Sequence, residues 1–361
     1  MTAEIAILNT HGVAIAADSA TTLRFGNNEQ KIFNSANKIF TLSKYQPVGI
    51  MVYNNANYMR IEWEIIIKEY RKLLGKKSFS TLFEYAKDFI GFVSNFKYVK
   101  YEQQKDFLLL ICYSFFSFLR NKFLNMLEEK LGDAENLTNK QISAVFDETI
   151  EWLNEIHKKR SDKMNVKVDT EFIDNLKNEI LDIIGNVFEE YKITKVQINK
   201  LINLLKNEIK KRIGNTGIFT GVVITGFGKN EIYPSIYSCH IHGKLGKYLM
   251  ISNEQEEQIS EKSTAQIIPY AQSEMVSSFM EGIDPDFEYE IRNQIGSLIN
   301  NLGEIVDKSY KNKLSTIQEK FFEYIENIKR ENYINPIMNI VDSLQKPELA
   351  EMAESLVSVC L

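Results

Sequence analysis

Thr2, Asp18 and Lys38 are the residues whose types and spacing can do chemistry in this chain. A threonine freed of the methionine before it carries a hydroxyl and an α-amine on one residue. That pair is a nucleophile with its own general base. Methionine aminopeptidases clip Met before small residues, and Thr is small enough. Thr2-Ala-Glu-Ile-Ala-Ile-Leu8 reads as a short strand and Thr10-His11-Gly12 as a turn. Val13-Ala-Ile-Ala-Ala-Asp18 reads as a second apolar strand ending on a carboxylate, and Lys38 opens the next apolar run, Ile39-Phe40-Thr41-Leu42. Each residue also has a structural reading. Thr is common after an initiator Met, and Asp18 fits a strand-end Asx turn. Lys31-Ile-Phe nearly duplicates Lys38-Ile-Phe, so either lysine can be the buried one.

The block from Thr2 to Asn57 resembles the start of a proteasome β-type subunit, a member of the N-terminal-nucleophile hydrolases. The matching string is Gly12-Val-Ala-Ile-Ala-Ala-Asp18-Ser19, followed by Thr22, Lys38 and the strand Gly49-Ile-Met51. The Thr2-to-Asp18 spacing equals the family's. The Asp18-to-Lys38 spacing is longer by a few residues, which implies a small hairpin insertion at Gly26-Asn27-Asn28-Glu29.

The resemblance implies roles. The Thr2 hydroxyl attacks a carbonyl, and its α-amine, titrating near ~8 when unperturbed, is the base. Lys38 favours the neutral amine, and Asp18 orients Lys38. Lys38 is preferred to Lys31 because its distance to Met51 is close to the family's. Oxyanion donors fall in Met51-Val52-Tyr53-Asn54, where Tyr53 replaces the usual Gly, keeping the N–H but crowding the pocket. Thr22, Met51, Tyr53 and Asn54 are therefore the substrate and oxyanion candidates. The family's Ser-Gly loop is absent; Ser273 is the candidate for its supporting serine, and Asp284 and Asp286 lie where a further Asp is placed. The fold implied is α+β, a four-layer αββα sandwich with two mostly antiparallel sheets.

Composition sets the outer bounds. At 361 residues the chain allows one large domain or two. Hydrophobic residues, at 44 %, suffice for a sizeable core. A net charge of −5 argues against nucleic acid as the main partner. Cys112, Cys239 and Cys360 are scattered, which fits a reducing compartment, and no basic-then-apolar leader is visible. A cytoplasmic protein is expected. The most apolar run, Phe107 to Leu119, is shorter than a membrane span needs and reads as a buried helix, so no membrane association is expected.

Residues 2–100 and 215–361 are assigned to the sandwich, and 101–214 to an inserted helical subdomain. Helices are expected over Ala56 to Leu74, Phe79 to Asn95, Lys140 to Lys158, Ile193 to Ile213, Ser263 to Glu281, Phe287 to Ile305 and Pro347 to Val357. Strands are expected at 218–228, 232–242 and 248–252. The seam Ile198, Leu201, Ile202, Leu204, Leu205 reads as internal packing in preference to an oligomer contact or a lid. Cys239, His240 and His242 make a poor metal set, because Cys239 faces away from the two histidines on a strand. No metal and no cofactor are expected. The chain ends soon after a C-terminal helix, where the family adds two strands, and an unpaired sheet edge would follow.

The function these readings imply is a proteasome-like threonine hydrolase cleaving peptide or other amide bonds, self-associating into a homo-oligomer. An inactive scaffold and a helical interaction module on a β platform are the alternatives.

Overall fold

The computed structural model describes residues 3–19, 21–25, 29–33, 37–131, 138–160, 166–212, 217–271, 273–305 and 308–360. For 21–25, 29–33, 131, 212, 303–305 and 308–313 it describes the backbone alone. The chain begins with two hairpins, β1 (Glu4–Asn9) with β2 (Gly12–Ala17), then β3 (Thr21–Phe25) with β4 (Glu29–Phe33). Asn9 builds the first turn: its Oδ1 accepts from the N–H groups of His11 and Gly12 at 2.9 and 3.1 Å. β5 (Ile39–Thr41), β6 (Val48–Tyr53) and the short β7 (Asn57–Tyr58) and β8 (Ile61–Glu62) follow.

Helices α1 (Trp63–Leu74), α2 (Leu82–Ser94), α3 (Tyr101–Leu131), α4 (Asn139–Lys159), α5 (Thr170–Asn175), α6 (Lys177–Val187) and α7 (Lys195–Arg212) come next. Strands return as β9 (Thr220–Gly226), β10 (Ser235–Leu245), β11 (Tyr248–Gln258) and β12 (Ala265–Ala271). The chain closes with α8 (Ser273–Glu281), α9 (Pro285–Ile305), α10 (Lys308–Lys329), a π-helical turn (Arg330–Ile334), α11 (Asn335–Ser343) and α12 (Lys346–Val359).

The fold mixes helices with antiparallel sheets. One sheet has three strands in the order β12-β1-β2, the other five in the order β11-β10-β9-β6-β5. Side-chain alternation along the strands sorts their apolar residues into separate cores. Ile5 and Ile7 of β1 pack with Leu349, Ala353, Leu356 and Val357 of α12. Ala6 and Leu8, on the opposite face of β1, meet Met51 and Tyr53 of β6, Val223 of β9 and Ile236 of β10. Val48, Ile50 and Val52 of β6 turn the other way, onto Trp63, Ile66 and Tyr70 of α1 and Tyr85 and Phe89 of α2. Helix α2 starts on a capping box, Thr81 with Glu84.

The segment from α3 to α7 has its own core, which reaches Leu245 and Met250 at the β10–β11 turn. Leu201, Ile202, Leu204 and Leu205 are buried in it, so that seam is internal packing. The apolar run from Phe107 belongs to a helix much longer than the run itself. By length and composition α3 is the one described helix able to cross a membrane. Its Phe107, Leu108, Ile111, Phe115, Phe116, Leu119 and Phe123 are all buried in the helical core.

Three sequence expectations need correction. Ala56 to Glu62 is not helical: β7 and β8 form a tight hairpin whose turn residues, Met59 and Arg60, have φ of 50° and 65°, values that exclude an α-helix. Residues 265–271 are not helical either. They form β12, because β1 needs a partner on its second edge and takes it in antiparallel register, Ile7 to Ile267. Pro269 is tolerated because β12 is an edge strand. Residues 308–343, not read as helical, carry α10, the π-helical turn and α11.

Candidate active site

A strand as apolar as β1 has no use for a lone carboxylate unless something pairs it. Glu4 sits in β1, is almost wholly buried, and is paired. Lys38 Nζ donates to Glu4 Oε1 at 2.7 Å and also to Asp18 Oδ1. The three side chains arrive from different elements. Glu4 begins β1, Asp18 follows β2 directly, and Lys38 precedes β5. All three are buried. The Asp18 N–H donates to the Ala3 carbonyl at 3.0 Å, so the backbone at residue 3 lies against the cluster. Thr2, the next residue, lies outside the described residues.

Two carboxylates around one ammonium make this site electrostatically tense. Burial pushes the Glu4 carboxyl above the usual carboxylate range, the Lys38 hydrogen bond and charge oppose that, and the Asp18 charge adds to it. Glu4 Oε2 and Asp18 Oδ2 are buried with no hydrogen-bond partner among the described residues. The cluster therefore retains accepting capacity for one more donor.

The structure brings Lys38 and Asp18 together and adds Glu4, which the sequence reading missed. The signal was present, a single Glu among Ala, Ile and Leu at positions 3 to 8. Lys31 lies on β4, in the separate β3–β4 hairpin, and Thr22 on β3; their side chains lie outside the description. The stretch Gly26-Asn27-Asn28-Glu29 falls where β3 passes to β4, which pair antiparallel; residues 26–28 themselves are outside the description. Ser273 opens α8, two residues after Ala271, which pairs with Glu4. It therefore leaves the sheet at the Glu4 end. Asp284 Oδ1 accepts from the Phe287 N–H at 3.0 Å and caps α9, with Asp286 in the same first turn.

The proposed oxyanion stretch is mostly spoken for. Met51 is sealed between the sheets, with β5 and β9 on its two sides. The Val52 N–H donates to the Lys38 carbonyl at 2.9 Å. Asn54 adopts φ of 68° and spends its Nδ2 on the carbonyls of Phe219 at 2.8 Å and Gly217 at 3.3 Å. Tyr53 is buried in the inter-sheet core. Its ring lies on Gly221 of β9, where a Cβ would come within 2.0 Å of ring carbons. The Tyr53 hydroxyl meets His240 Nε2 at 3.0 Å. His240 Nδ1 takes its hydrogen bond from Asn253 Nδ2 at 3.1 Å, so Nε2 carries the proton toward Tyr53. Burial lowers the His240 pKa, in keeping with a neutral ring.

His240 and His242 do share one side of β10, with Cys239 packed on the other. No group of three His, Cys, Asp or Glu able to hold a metal occurs among the described residues. His242 is instead committed to structure. Nδ1 donates to the Ile218 carbonyl at 2.9 Å, so Nε2 accepts from the Ser252 hydroxyl at 2.8 Å. Burial pulls its pKa down to about 4. A histidine that is neutral when folded and ionises near 6.5 when unfolded stabilises the fold above pH 6.5, and that contribution disappears as pH falls toward 4. Acid unfolding across this window should flatten in His242→Gln, by up to about 3 kcal/mol at the acid end. Denaturant midpoints at several pH values check this; an unchanged pH slope would clear His242 of the effect.

No protein-family model, no curated protein and no solved structure matches this chain. The functional argument therefore rests on the site itself.

Proposed function

We propose that this protein is a proteasome-like N-terminal threonine hydrolase of peptide or other amide bonds, with Thr2 as nucleophile once whatever precedes it is removed. The observation that carries the reading is the buried Glu4–Lys38–Asp18 cluster, packed against the backbone one residue from Thr2. A buried lysine between two carboxylates stabilises a fold poorly compared with apolar packing, whereas beside a threonine α-amine it has a chemical task. The order of the cores also favours an αββα sandwich. Helices α1 and α2 lie on the five-stranded sheet, that sheet on the three-stranded one, and α12 beyond it.

In this reaction Thr2 Oγ attacks the carbonyl carbon, and the α-amine takes the hydroxyl proton. The amine passes that proton to the departing nitrogen as the C–N bond breaks, leaving an ester on Thr2. Water, deprotonated by the same amine, cleaves the ester, releases the acid and restores the hydroxyl. The Lys38 ammonium, held by Asp18 and Glu4, keeps the α-amine neutral at working pH. The reading is tested by covalent capture: a peptidyl β-lactone should acylate Thr2 in the native protein and leave Thr2→Ala unmodified.

A second reading, a scaffold of the same fold without activity, has one observation in its favour. The Tyr53 ring fills the space over Gly221, and its hydroxyl is committed to His240. Absence of acylation in a protein with Thr2 at its N-terminus would select it.

A further inference from the structure

A cavity of about 690 Å³ opens where the β7–β8 hairpin meets the first turns of α3 and the Thr220 end of β9. Its size is that of ordinary ligand sites, roughly 300–1,000 Å³. The walls are tied together. Gln103 Nε2 donates to the Met59 carbonyl at 2.6 Å and Arg60 pairs with Asp106 at 2.9 Å, which fastens the hairpin to α3. The Phe107 ring is seated on Gly243 of β10, where a Cβ would come within 2.5 Å of it. Asn54, Met59 and Arg60 hold φ of 68°, 50° and 65°, backbone strain of the kind that persists at binding loops.

Two features say what the cavity takes. The first is an unmet hydrogen bond. Tyr58 lines the cavity and is 2 % exposed, and its hydroxyl is buried with no hydrogen-bond partner among the described residues. Such a group costs stability until a partner arrives. The exposed carboxamides of Asn55 and Asn57 also line the cavity. Asn55 Oδ1 accepts from the Asn57 N–H at 3.0 Å, which leaves the Asn55 Nδ2 group and the Asn57 carboxamide for a ligand. The second feature is the balance of charge. Arg60 and Asp106 answer each other, and His242 is committed to Ile218 and Ser252. Met59, Phe107, Leu110, Ile218 and Phe219 make the rest of the wall apolar. This lining disfavours a phosphate or a carboxylate. It matches an uncharged apolar group carried on a chain of amide bonds, whose N–H and C=O groups the carboxamides and the hydroxyl can pair.

The cavity lies at the Lys38 end of the five-stranded sheet. The Val52 N–H donates to the Lys38 carbonyl, and Asn55 follows Val52 by three residues. That is at most about 11 Å of chain, which an extended peptide crosses in about three residues. We propose that this cavity is a specificity pocket for the substrate. It seats a large apolar side chain about three residues from the scissile bond, with α3 as one wall and with Tyr58 and Asn57 on the adjoining peptide groups. The pocket's role rests on the hydrolase reading above; its occupancy is measured apart from the reaction.

The first measurement titrates an acetylated tetrapeptide amide carrying one Phe into full-length protein with Thr2→Ala and Trp152→Phe. Trp63 is then the one tryptophan left. It reports on the cavity because its Nε1 donates to Thr220 Oγ1, on the cavity wall, at 2.9 Å, and its ring lies 5.4 Å from that of Tyr58. A saturable change in emission with Kd below ~1 mM is expected. The same peptide with Asp in place of Phe should bind about tenfold more weakly or worse. Leu110→Glu should weaken the Phe peptide by a similar factor and shift preference to a Lys peptide. It should leave the thermal midpoint unchanged, because Leu110 is 52 % exposed. Tyr58→Phe should raise the midpoint while weakening the peptide. The second measurement follows acylation of Thr2 by peptidyl β-lactones. The rate should favour Phe over Asp at the third residue from the lactone by about tenfold, and Leu110→Glu should erase that preference. Peptide binding without acylation by any lactone would overturn the hydrolase reading and leave a peptide pocket. No binding of the Phe peptide up to ~10 mM overturns the pocket itself. So does equal binding of the Phe and Asp peptides, or an affinity that Leu110→Glu leaves unchanged.

Discussion

Replacing Lys38 by Met will cost about 3–5 kcal/mol of stability, the size expected when one partner of a buried ion pair is removed and the other is stranded. Here two carboxylates are stranded at once, Glu4 and Asp18, and both already carry an oxygen with no described partner. The loss has a defined pH dependence. Without the ammonium, the Glu4 carboxyl, already raised by burial, loses the hydrogen bond and charge that oppose the shift and moves further up. A carboxyl whose pKa is raised by folding contributes stability below its unfolded pKa and loses it as pH rises through the folded one. The penalty should therefore be large at pH 7 and shrink as the pH approaches 4. Under the proposed chemistry, Lys38→Ala should also lower turnover by orders of magnitude, because it removes the charge that keeps the α-amine neutral. Lys31→Ala should be nearly neutral in both measurements. Urea titrations across pH and a turnover assay decide this; equal effects at the two positions would mean that the wrong lysine had been assigned.

The second large effect is expected at Gly221. An added Cβ would lie 2.0 Å from the Tyr53 ring, in a core closed by Phe219, His240 and Tyr270. Gly221→Ala should destabilise by about 1–3 kcal/mol, the usual range for overpacking, or more, because a β-sheet backbone cannot retreat. Tyr53→Ala, by opening a cavity, should cost about 3–5 kcal/mol by itself. The double substitution should cost clearly less than the sum, since the new methyl then enters vacated space. Thermal or denaturant unfolding of the three variants measures the coupling. Strict additivity would show that the ring and Gly221 do not touch. Tyr53→Ala also probes function: if the ring restricts the substrate, acylation at Thr2 should speed up with bulkier probes.

The sequence disclosed the Asp18–Lys38 pair because Asp18 closes one recognisable apolar strand and Lys38 opens the next apolar run. Glu4 escaped notice because an alternation reading looks for one buried face. β1 buries both, Ile5 and Ile7 against α12, and Ala6 and Leu8 against the other sheet. A charged residue in such a strand is visible only as an exception. β12 was read as helix because Ile267-Ile-Pro-Tyr has no clear period of two, and pairing with β1 decides its conformation from outside the segment. The β7–β8 hairpin was missed for a related reason. Its turn needs positive φ at Met59 and Arg60, residues that carry no turn signal.

The central claim is that Thr2 is a nucleophile activated by the Glu4–Lys38–Asp18 cluster. Its most direct test is intact-mass and peptide-level mass spectrometry of the purified protein before and after exposure to a peptidyl β-lactone. The account predicts a chain starting at Thr2, one added acyl group per chain carried on Thr2, and no addition to Thr2→Ala or Lys38→Ala preparations that remain folded. A chain that starts at Thr2, is folded and takes up no acyl group, or takes it up equally in Thr2→Ala, would contradict it.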